Sequence, residues 1–382
     1  MTATTPRTPS ATRAPAKTNP VTRLANRLLL DPTLGVITLL VLVCVVSVFV
    51  LPEFLTVTNL TNLVSSSLIV MILAMGMTVV LVSGGIDLSI GAAMALCAGV
   101  TAQTLLLGVP LFGAYICGLV AGALIGIGNG ILVTRLMLPD FIATLAMLGF
   151  ASGVLYIWTG GVPIIGYMLP EYYYVGGLTP LFGSITAPMV TALVLALVLG
   201  GMLGSTRLGT HLFAVGSSPV AAMQSAVRVD RTRVLAYVIS GLTAAIAGII
   251  LAGRNTSVPA DLGNGFEIQA IAAAVIGGAA LSGGRGRILG AVLGAITLAA
   301  TINIINLEGV PSSYQRIVIG CILLVAVLAN RGSDVVSAAA RQRRAARAGV
   351  ATGDAGGPGS GPRRPPASPE SSGNTAEGMA AE

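Results

Sequence analysis

The chain has 382 residues, of which 54% are hydrophobic and only 9% are charged, whereas a soluble globular protein carries about 25% charged residues. This composition excludes an ordinary soluble protein and indicates a polytopic membrane protein. The formal net charge of +7 does not indicate a nucleic-acid partner, because the basic residues lie in the tails and short loops, where cytoplasmic segments of membrane proteins carry them.

The N-terminal arm, residues 1–28, is rich in Thr, Pro and Ala and contains basic but no acidic residues. These features predict a disordered cytoplasmic arm. The apolar segment Leu34–Val50 follows and ends without a small-x-small cleavage pattern. The sequence therefore favours a retained first membrane span over a cleaved signal peptide.

Ten membrane spans are predicted within an all-α transmembrane domain at residues 29–330, taking about 20 apolar residues per span. They are Leu34–Val50, Leu60–Val82, Ile90–Leu107, Leu111–Leu132, Phe141–Trp158, Ala187–Leu203, Val234–Ala252, Ile268–Leu281, Ile288–Ile305 and Ile317–Ala329. An even number of spans places both termini on the same side, and the basic N-terminal arm makes that side the cytoplasm. The tail, residues 331–382, is basic at first and then Gly/Pro/Ser-rich; it is predicted to be disordered, with its basic start either solvated or touching anionic membrane lipid.

The charges of the loops agree with this topology. The loops placed inside carry Arg135, Arg207, Arg228, Arg231, Arg233, Arg285 and Arg287. The loops placed outside carry Glu53, Glu171, Asp261, Glu267 and Glu308, with only Arg254 and Arg316. Cytoplasmic loops of membrane proteins show this excess of basic residues.

The most specific stretch is GMTVVLVSGGIDLSIGAAMALCAG, residues 76–99, which places an acid and a double glycine between two apolar segments. A charged side chain at membrane depth costs about 2.5 to 3.5 kcal/mol on insertion scales, so Asp87 is expected at a membrane boundary, inside protein or beside a water-filled path. Gly84 and Gly85 predict a broken helix near Gly84–Ser89, since glycine adopts positive φ without a Cβ clash. The simpler interpretation is that Asp87 or Ser89 caps the next helix.

Small residues recur every four positions in several spans. The stripes are Gly118, Gly122, Gly126 and Gly130; Gly286, Gly290 and Gly294; and Ser240, Ala244, Gly248 and Ala252. Such stripes let helix backbones approach closely in a membrane. The sequence SGGIDLSIGA from Ser83 also echoes SGGRGRILGA from Ser282, which suggests an internal duplication.

No catalytic, metal or cofactor site is predicted. A Walker A loop needs a lysine to reach the terminal phosphates, and the one lysine of the chain, Lys17, lies in the N-terminal arm. The single histidine, His211, has no neighbouring metal ligands, and the four cysteines lie in apolar runs without a CxxC pair. The sequence therefore predicts a protein that is not an enzyme and does not hydrolyse ATP by itself.

The predicted inside loop from Leu208 to Val234 contains a short helix outside the bilayer. Ser218 suits the N-cap, and Pro219 suits the first helical position, where its missing N–H is not needed. Ala221, Ala222 and Ser225 are predicted to share one small-residue face. Such a face suggests docking into a groove of a partner protein; the alternative is a connector that lies on the membrane surface.

Four ordered blocks resemble the permease subunits of bacterial ABC importers for monosaccharides, of the ribose, xylose and galactose type. The blocks are GMTVVLVSGGIDLSIGA from Gly76, NGILVTRLMLPDFIATLAML from Asn129, GTHLFAVGSSPVAAMQSAVRV from Gly209 and ADLGNGFEIQAIAAAVIGGAALSGGRGRILGA from Ala260. The resemblance covers residues 60–331. It implies a multi-pass protein of the cytoplasmic (inner) membrane that passes a monosaccharide.

The resemblance also implies partners: a second permease copy, as a homodimer or heterodimer, two cytoplasmic ATPase subunits and an external sugar-binding protein. It implies that the helix from Pro219 to Ala226 docks into the ATPase. The loop departs from the family pattern where Ser218 replaces a common asparagine and Ala226 a common glycine. These departures bear on the choice of ATPase partner.

Five polar residues are candidates for the translocation path: Thr78, Ser83, Asp87, Ser89 and Asn303. Each could instead form a hydrogen bond between helices, worth about 0.6 kcal/mol. The leading alternative function is an ion-coupled secondary transporter, which would need intramembrane ionisable groups, and among these only Asp87 qualifies. A membrane scaffold without transport would leave the break at Gly84 and Gly85 unexplained.

Overall fold

The computed structural model describes residues 32–311 and 314–328; the predicted arm 1–28 and tail 331–382 lie outside the described residues. The helices are α1 Pro32–Val50, α2 Val57–Val82, α3 Ile90–Leu106, α4 Leu111–Thr134, α5 Asp140–Thr159, α6 Pro170–Gly176, α7 Ala187–Ser205, α8 Arg207–Ser217, α9 Pro219–Gln224, α10 Val229–Asn255, α11 Phe266–Ile276, α12 Ile288–Leu307 and α13 Tyr314–Leu328, with a 3₁₀ turn at Pro52–Leu55.

The all-α prediction is confirmed for the described residues, which contain two isolated β-bridges and no strand. Seven helices are long and apolar enough to cross a membrane: α1, α2, α4, α5, α7, α10 and α12. The other three predicted spans coincide with the shorter helices α3, α11 and α13, so the count of ten stays a prediction. Helix α11 ends at Ile276, before the predicted Leu281, and Gly278 follows with φ +87°.

Helix α10 is the central helix, because it packs against α2, α3 and α4. The first glycine stripe lies at its contact with α4. A Cβ built on Gly122 would overlap the carbonyl oxygen of Gly241, and one built on Gly126 would overlap that of Tyr237. A Cβ built on Gly248 would likewise overlap the carbonyl oxygen of Met94 in α3. These stripes are therefore the surfaces at which the helix backbones touch, as close packing in a membrane requires.

The stripe in α12 brings that helix against α11. A Cβ on Gly290 would overlap the carbonyl oxygen of Gly277, and one on Gly294 would overlap that of Ala273. The two helices thus pack backbone to backbone, with no room for larger side chains.

The segment 160–186 is fastened to the end of α10. The hydroxyl groups of Tyr167 and Tyr172 donate to the carbonyl oxygens of Ala252 and Ile249, at 2.9 and 2.8 Å. Burial raises the pKa of both phenols, so both remain protonated donors at neutral pH. The C-terminal end of α10 is held in place by these bonds.

The predicted break is confirmed: α2 ends at Val82, α3 begins at Ile90, and the residues between them are not helical. Gly84 has φ +83°, a left-handed conformation that a side chain would disfavour. The break does not lie on the surface, since Ser83, Asp87 and Ser89 are all buried.

Candidate functional site

Asp87 is the centre of a buried polar cluster, the Asp87 cluster, formed with Ser89, Asn129 and Ser240. The Ser89 hydroxyl and backbone N–H donate to Asp87 Oδ1 at 2.6 and 3.0 Å. The Ser240 hydroxyl donates to Oδ2 at 2.7 Å. The carboxyl group, 2% exposed, therefore joins the break to the central helix α10.

Asn129 completes this cluster from α4. Its amide nitrogen lies 2.8 Å from Ser89 Oγ and 3.4 Å from Asp87 Oδ1, while its buried Oδ1 has no partner among the described residues. The neighbouring carbonyl of Ile86 accepts from Thr144 at 3.3 Å and from Tyr237 at 3.4 Å. Side chains from α5 and α10 thus bond to the backbone of the break, while Asn129 of α4 bonds to its side chains.

Ser89 precedes the first residue of α3, but its side chain makes no capping bond to that helix. Instead, Asp87 Oδ1 accepts a hydrogen bond from the backbone N–H of Ser89, two residues later in the chain. The local role of Asp87 is therefore to order the turn that leads into α3.

Thr78 and Ser83 are buried, and each bonds to the backbone of its own helix. Thr78 donates to the carbonyl of Ala74 and Ser83 to that of Val80, both at 2.7 Å. Among the five candidate path residues, only Asp87 and Ser89 are brought together by hydrogen bonds.

Asn303 lies apart from the other four, near the opposite end of α2. Its side chain and that of Asn59 form a reciprocal amide pair, with N···O distances of 3.0 and 2.8 Å. Asn59 and Val82 are 23 residues apart on one helix, about 35 Å at 1.5 Å per residue. The candidate residues therefore do not share one cavity.

The Asn59–Asn303 pair lines a cavity of about 490 Å³ between α2, α10, α11, α12 and α13, which we call the amide cleft. Its polar lining is dominated by amide side chains: Asn59, Asn62, Gln269, Asn303, Asn306 and Gln315. The lining also contains buried apolar side chains, Ile69, Val70, Leu251 and Leu298. The volume falls in the range of about 300–1,000 Å³ that small-molecule sites occupy.

Helix α9 has the predicted start. The Ser218 side chain accepts from the N–H of Ala221 at 3.3 Å, and Pro219 is the first helical residue. The three residues predicted to share one face do not share one environment. Ala222 is 3% exposed and faces the rest of the protein, whereas Ala221 and Ser225 are exposed. The large exposed apolar side chains of α9 are Val220 and Met223, at 66% and 64%.

Helix α8, directly before α9, touches both echoed sequences at what we call the glycine junction: Gly84, Gly216, Gly283 and Gly284. A Cβ on Gly216 would overlap the carbonyl oxygen of Val82 and come within 2.6 Å of the Gly284 nitrogen. Gly283 and Gly284 have φ +83° and +71°, like Gly84. The exposed helix α9 thus begins three residues from the point where the two echoed loops meet.

The chain also has clear relatives. Residues 59–327 match a family described as branched-chain amino acid transport system / permease component. The ribose import permease protein of Bacillus subtilis is 38% identical over 302 residues, 79% of this chain and 92% of that protein. The Escherichia coli K12 ribose import permease protein is 37% identical over 78% and 92%, and the autoinducer 2 import system permease protein of Salmonella paratyphi B is 36% identical over 74% and 82%. No solved structure matches the chain.

Proposed function

Because the chain belongs to the family of branched-chain amino acid transport system permease components, we propose that it is the membrane subunit of an ATP-driven importer for a monosaccharide. The observation that carries the proposal is the 38% identity to a ribose import permease, which extends over 92% of that protein. The identities to two ribose import permease proteins favour a sugar over an amino acid as the ligand.

The proposed energy source is a separate cytoplasmic ATPase that binds α9. Two features support this assignment: the absence of a Walker A lysine from the sequence and the exposed Val220 and Met223 on a short helix between two longer ones. The glycine junction lies beside α9 and would carry its displacement to both echoed loops. An external binding protein and a second permease copy complete the proposed importer.

The proposed topology has ten spans, with both termini in the cytoplasm of a bacterial cell. Arg285 adjoins the glycine junction, and Arg233 approaches it, with its guanidinium 3.8 Å from a Cβ built on Gly84. The positive-inside rule then puts the junction and α9 on the cytoplasmic side and the amide cleft on the outer side. Helices α3, α11 and α13 would cross together with neighbouring irregular segments that protein buries.

The test is uptake of radiolabelled ribose into sealed vesicles that contain this chain, its ATPase and its binding protein. We expect uptake that requires ATP and persists when proton and sodium gradients are discharged. Uptake without ATP that collapses on discharge would identify an ion-coupled transporter instead. Vesicles that take up leucine but no sugar would leave the chain a permease and overturn the substrate.

A further inference from the structure

The amide cleft offers hydrogen-bonding groups that belong to no other described site. Asn62 of α2 and Gln269 of α11 both line it, and neither side chain forms a hydrogen bond within the described residues. Each amide presents two donors and an acceptor oxygen. Two walls of the cleft therefore carry unused groups that can bind the same ligand from different directions.

The frame around these groups is fixed. Asn59 is 7% exposed and donates to the carbonyl of Phe54 at 2.9 Å as well as to Asn303. The reciprocal Asn59–Asn303 pair ties α2 to α12, while Gln315 of α13 donates to Asn306 of α12 at 2.6 Å. The cleft is thus bounded by helices that side-chain hydrogen bonds hold together, rather than by loops.

The charges around the cleft discriminate between ligand classes. Arg254 is the single charged side chain among the described lining residues, and its guanidinium donates to the carbonyl of Ser65 at 2.7 Å. No carboxylate among those residues would neutralise the ammonium group of an amino acid, which makes such a ligand expensive to desolvate. Hydroxyl groups, in contrast, both donate and accept, as amides do.

The apolar part of the lining suits the C–H surface of a sugar ring. Phe266, at the start of α11, is the one aromatic side chain in the described lining, and Ile69, Val70 and Leu251 are buried aliphatic side chains of the same lining. Aromatic and aliphatic surfaces contact the C–H faces of a ring, while the polar groups fix its orientation.

We propose that the amide cleft is the site where the permease first holds the transported ligand, and that it selects a neutral polyhydroxylated molecule through Asn62 and Gln269. This inference rests on the proposed sugar import and assigns the site within it. Asn59 and Asn303 act as positioning residues, since their amides are already engaged with each other.

The first test replaces the two unengaged amides in the complete importer, reconstituted with sugar-loaded binding protein. Gln269→Met and Asn62→Leu preserve approximate size and remove the polar groups. We expect each to lower the sugar uptake rate per permease by roughly three- to tenfold, the loss that removing one hydrogen bond produces. The matched control is Asn264→Leu, an exposed amide that lines a different cavity and should leave uptake unchanged.

The second test measures occupancy without transport. Asn62→Cys is labelled with a membrane-impermeant maleimide, against the unsubstituted chain as background and Asn264→Cys as control. Millimolar ribose should slow labelling at position 62 by at least about threefold, as expected where a ligand fills a pocket, while labelling at position 264 stays unchanged.

The outcomes separate the two proposals. If the unsubstituted importer takes up no sugar, the proposed function fails. If it takes up sugar while the position-62 and position-269 variants match the Asn264→Leu control and ribose gives no protection, the cleft is not the ligand site and sugar import stands. Uptake and protection by leucine in place of ribose would overturn the proposed neutral ligand.

Discussion

The backbone N–H of Gly284 donates a 3.0 Å hydrogen bond to the carbonyl oxygen of Val82. This bond joins the loop before α12 to the last residue of α2, across more than 200 residues of sequence. Gly216 of α8 lies against both groups. A displacement of α8 and of the exposed helix α9 would therefore shift both loops.

Gly216→Ala tests this junction. The added methyl group would overlap the Val82 carbonyl oxygen, and overpacking of this kind costs about 1–3 kcal/mol. We expect a lower thermal unfolding midpoint and a loss of ATP-driven uptake, measured in the same vesicles. Gly204→Ala in neighbouring α7 is the control, since nothing lies within 4 Å of its added Cβ. Equal unfolding midpoints and equal uptake in the two variants would show that the junction accommodates the added methyl group.

The positions of the elements could be predicted from sequence because they depend on local pattern. Apolar runs located the ten helical segments, the double glycine located the break, and Ser218 with Pro219 located the start of α9. The glycine stripes also predicted close backbone contacts, since small residues at four-residue spacing fall on one helix face.

The partners of Asp87 could not be predicted in the same way. Asn129 and Ser240 are 42 and 153 residues away along the chain, and each stood out only as a polar residue in or beside a small-residue stripe. The six residues of α9 are too few for periodicity to decide its buried face, so the sequence predicts Ala222 on the same face as Ala221 and Ser225, whereas the structure buries it. The sequence does not predict the amide cleft, because Asn59 and Asn62 lie on α2 while the opposing amides lie on distant segments of the chain.

Asp87→Asn and Asp87→Leu separate the hydrogen-bonding role of the carboxyl group from its charge. Asparagine keeps one acceptor oxygen, whereas leucine leaves the Ser89 and Ser240 donors unpaired, at about 1–3 kcal/mol for each buried group. We expect Asp87→Asn to retain much of the uptake and Asp87→Leu to lose it. Near-complete and equal loss in both variants, with normal insertion, would show that the charge itself is essential.

The contact of α4 with α10 predicts that a Gly→Ala substitution lowers stability at this contact but not at a glycine with free space around it. Gly122→Ala would drive a methyl group into the Gly241 carbonyl and should lower stability by about 1–3 kcal/mol. Gly149→Ala in α5, where nothing lies within 4 Å, should be neutral or stabilising, since alanine is the better helix former. Thermal unfolding in detergent compares them; equal midpoints would contradict the proposed backbone contact.

Ala226 occupies a backbone conformation that favours glycine, with φ +59° just after α9. A side chain in this region costs about 1–2 kcal/mol, while glycine adds about 0.4–1 kcal/mol of entropy to the unfolded chain. Ala226→Gly should therefore leave the unfolding midpoint unchanged or slightly raised. Ala221→Gly, inside α9, should lower the free energy of unfolding by about 1 kcal/mol and so lower the midpoint. A lower midpoint for Ala226→Gly than for Ala221→Gly would refute the strain at position 226.

The exposed face of α9 makes the sharpest prediction about coupling. If Val220 and Met223 fill an apolar groove on the ATPase, Met223→Glu buries a charge without a partner, which is strongly unfavourable. We expect normal insertion and thermal stability, co-purification of the ATPase weakened about tenfold, equivalent to about 1.4 kcal/mol, and loss of sugar-stimulated ATP turnover. Thr210→Glu places the same charge at an exposed position of α8 and should leave all three unchanged.

Ala222→Trp distinguishes docking from folding on the same helix. Because Ala222 is 3% exposed, the larger ring would clash inside the permease itself. This overpacking should lower the permease's free energy of unfolding by about 1–3 kcal/mol and so lower its unfolding midpoint. Met223→Glu should leave that midpoint unaltered while losing the ATPase. If Met223→Glu retains both the bound ATPase and sugar-stimulated turnover, the side chain at position 223 does not contact the ATPase, and α9 is a surface connector.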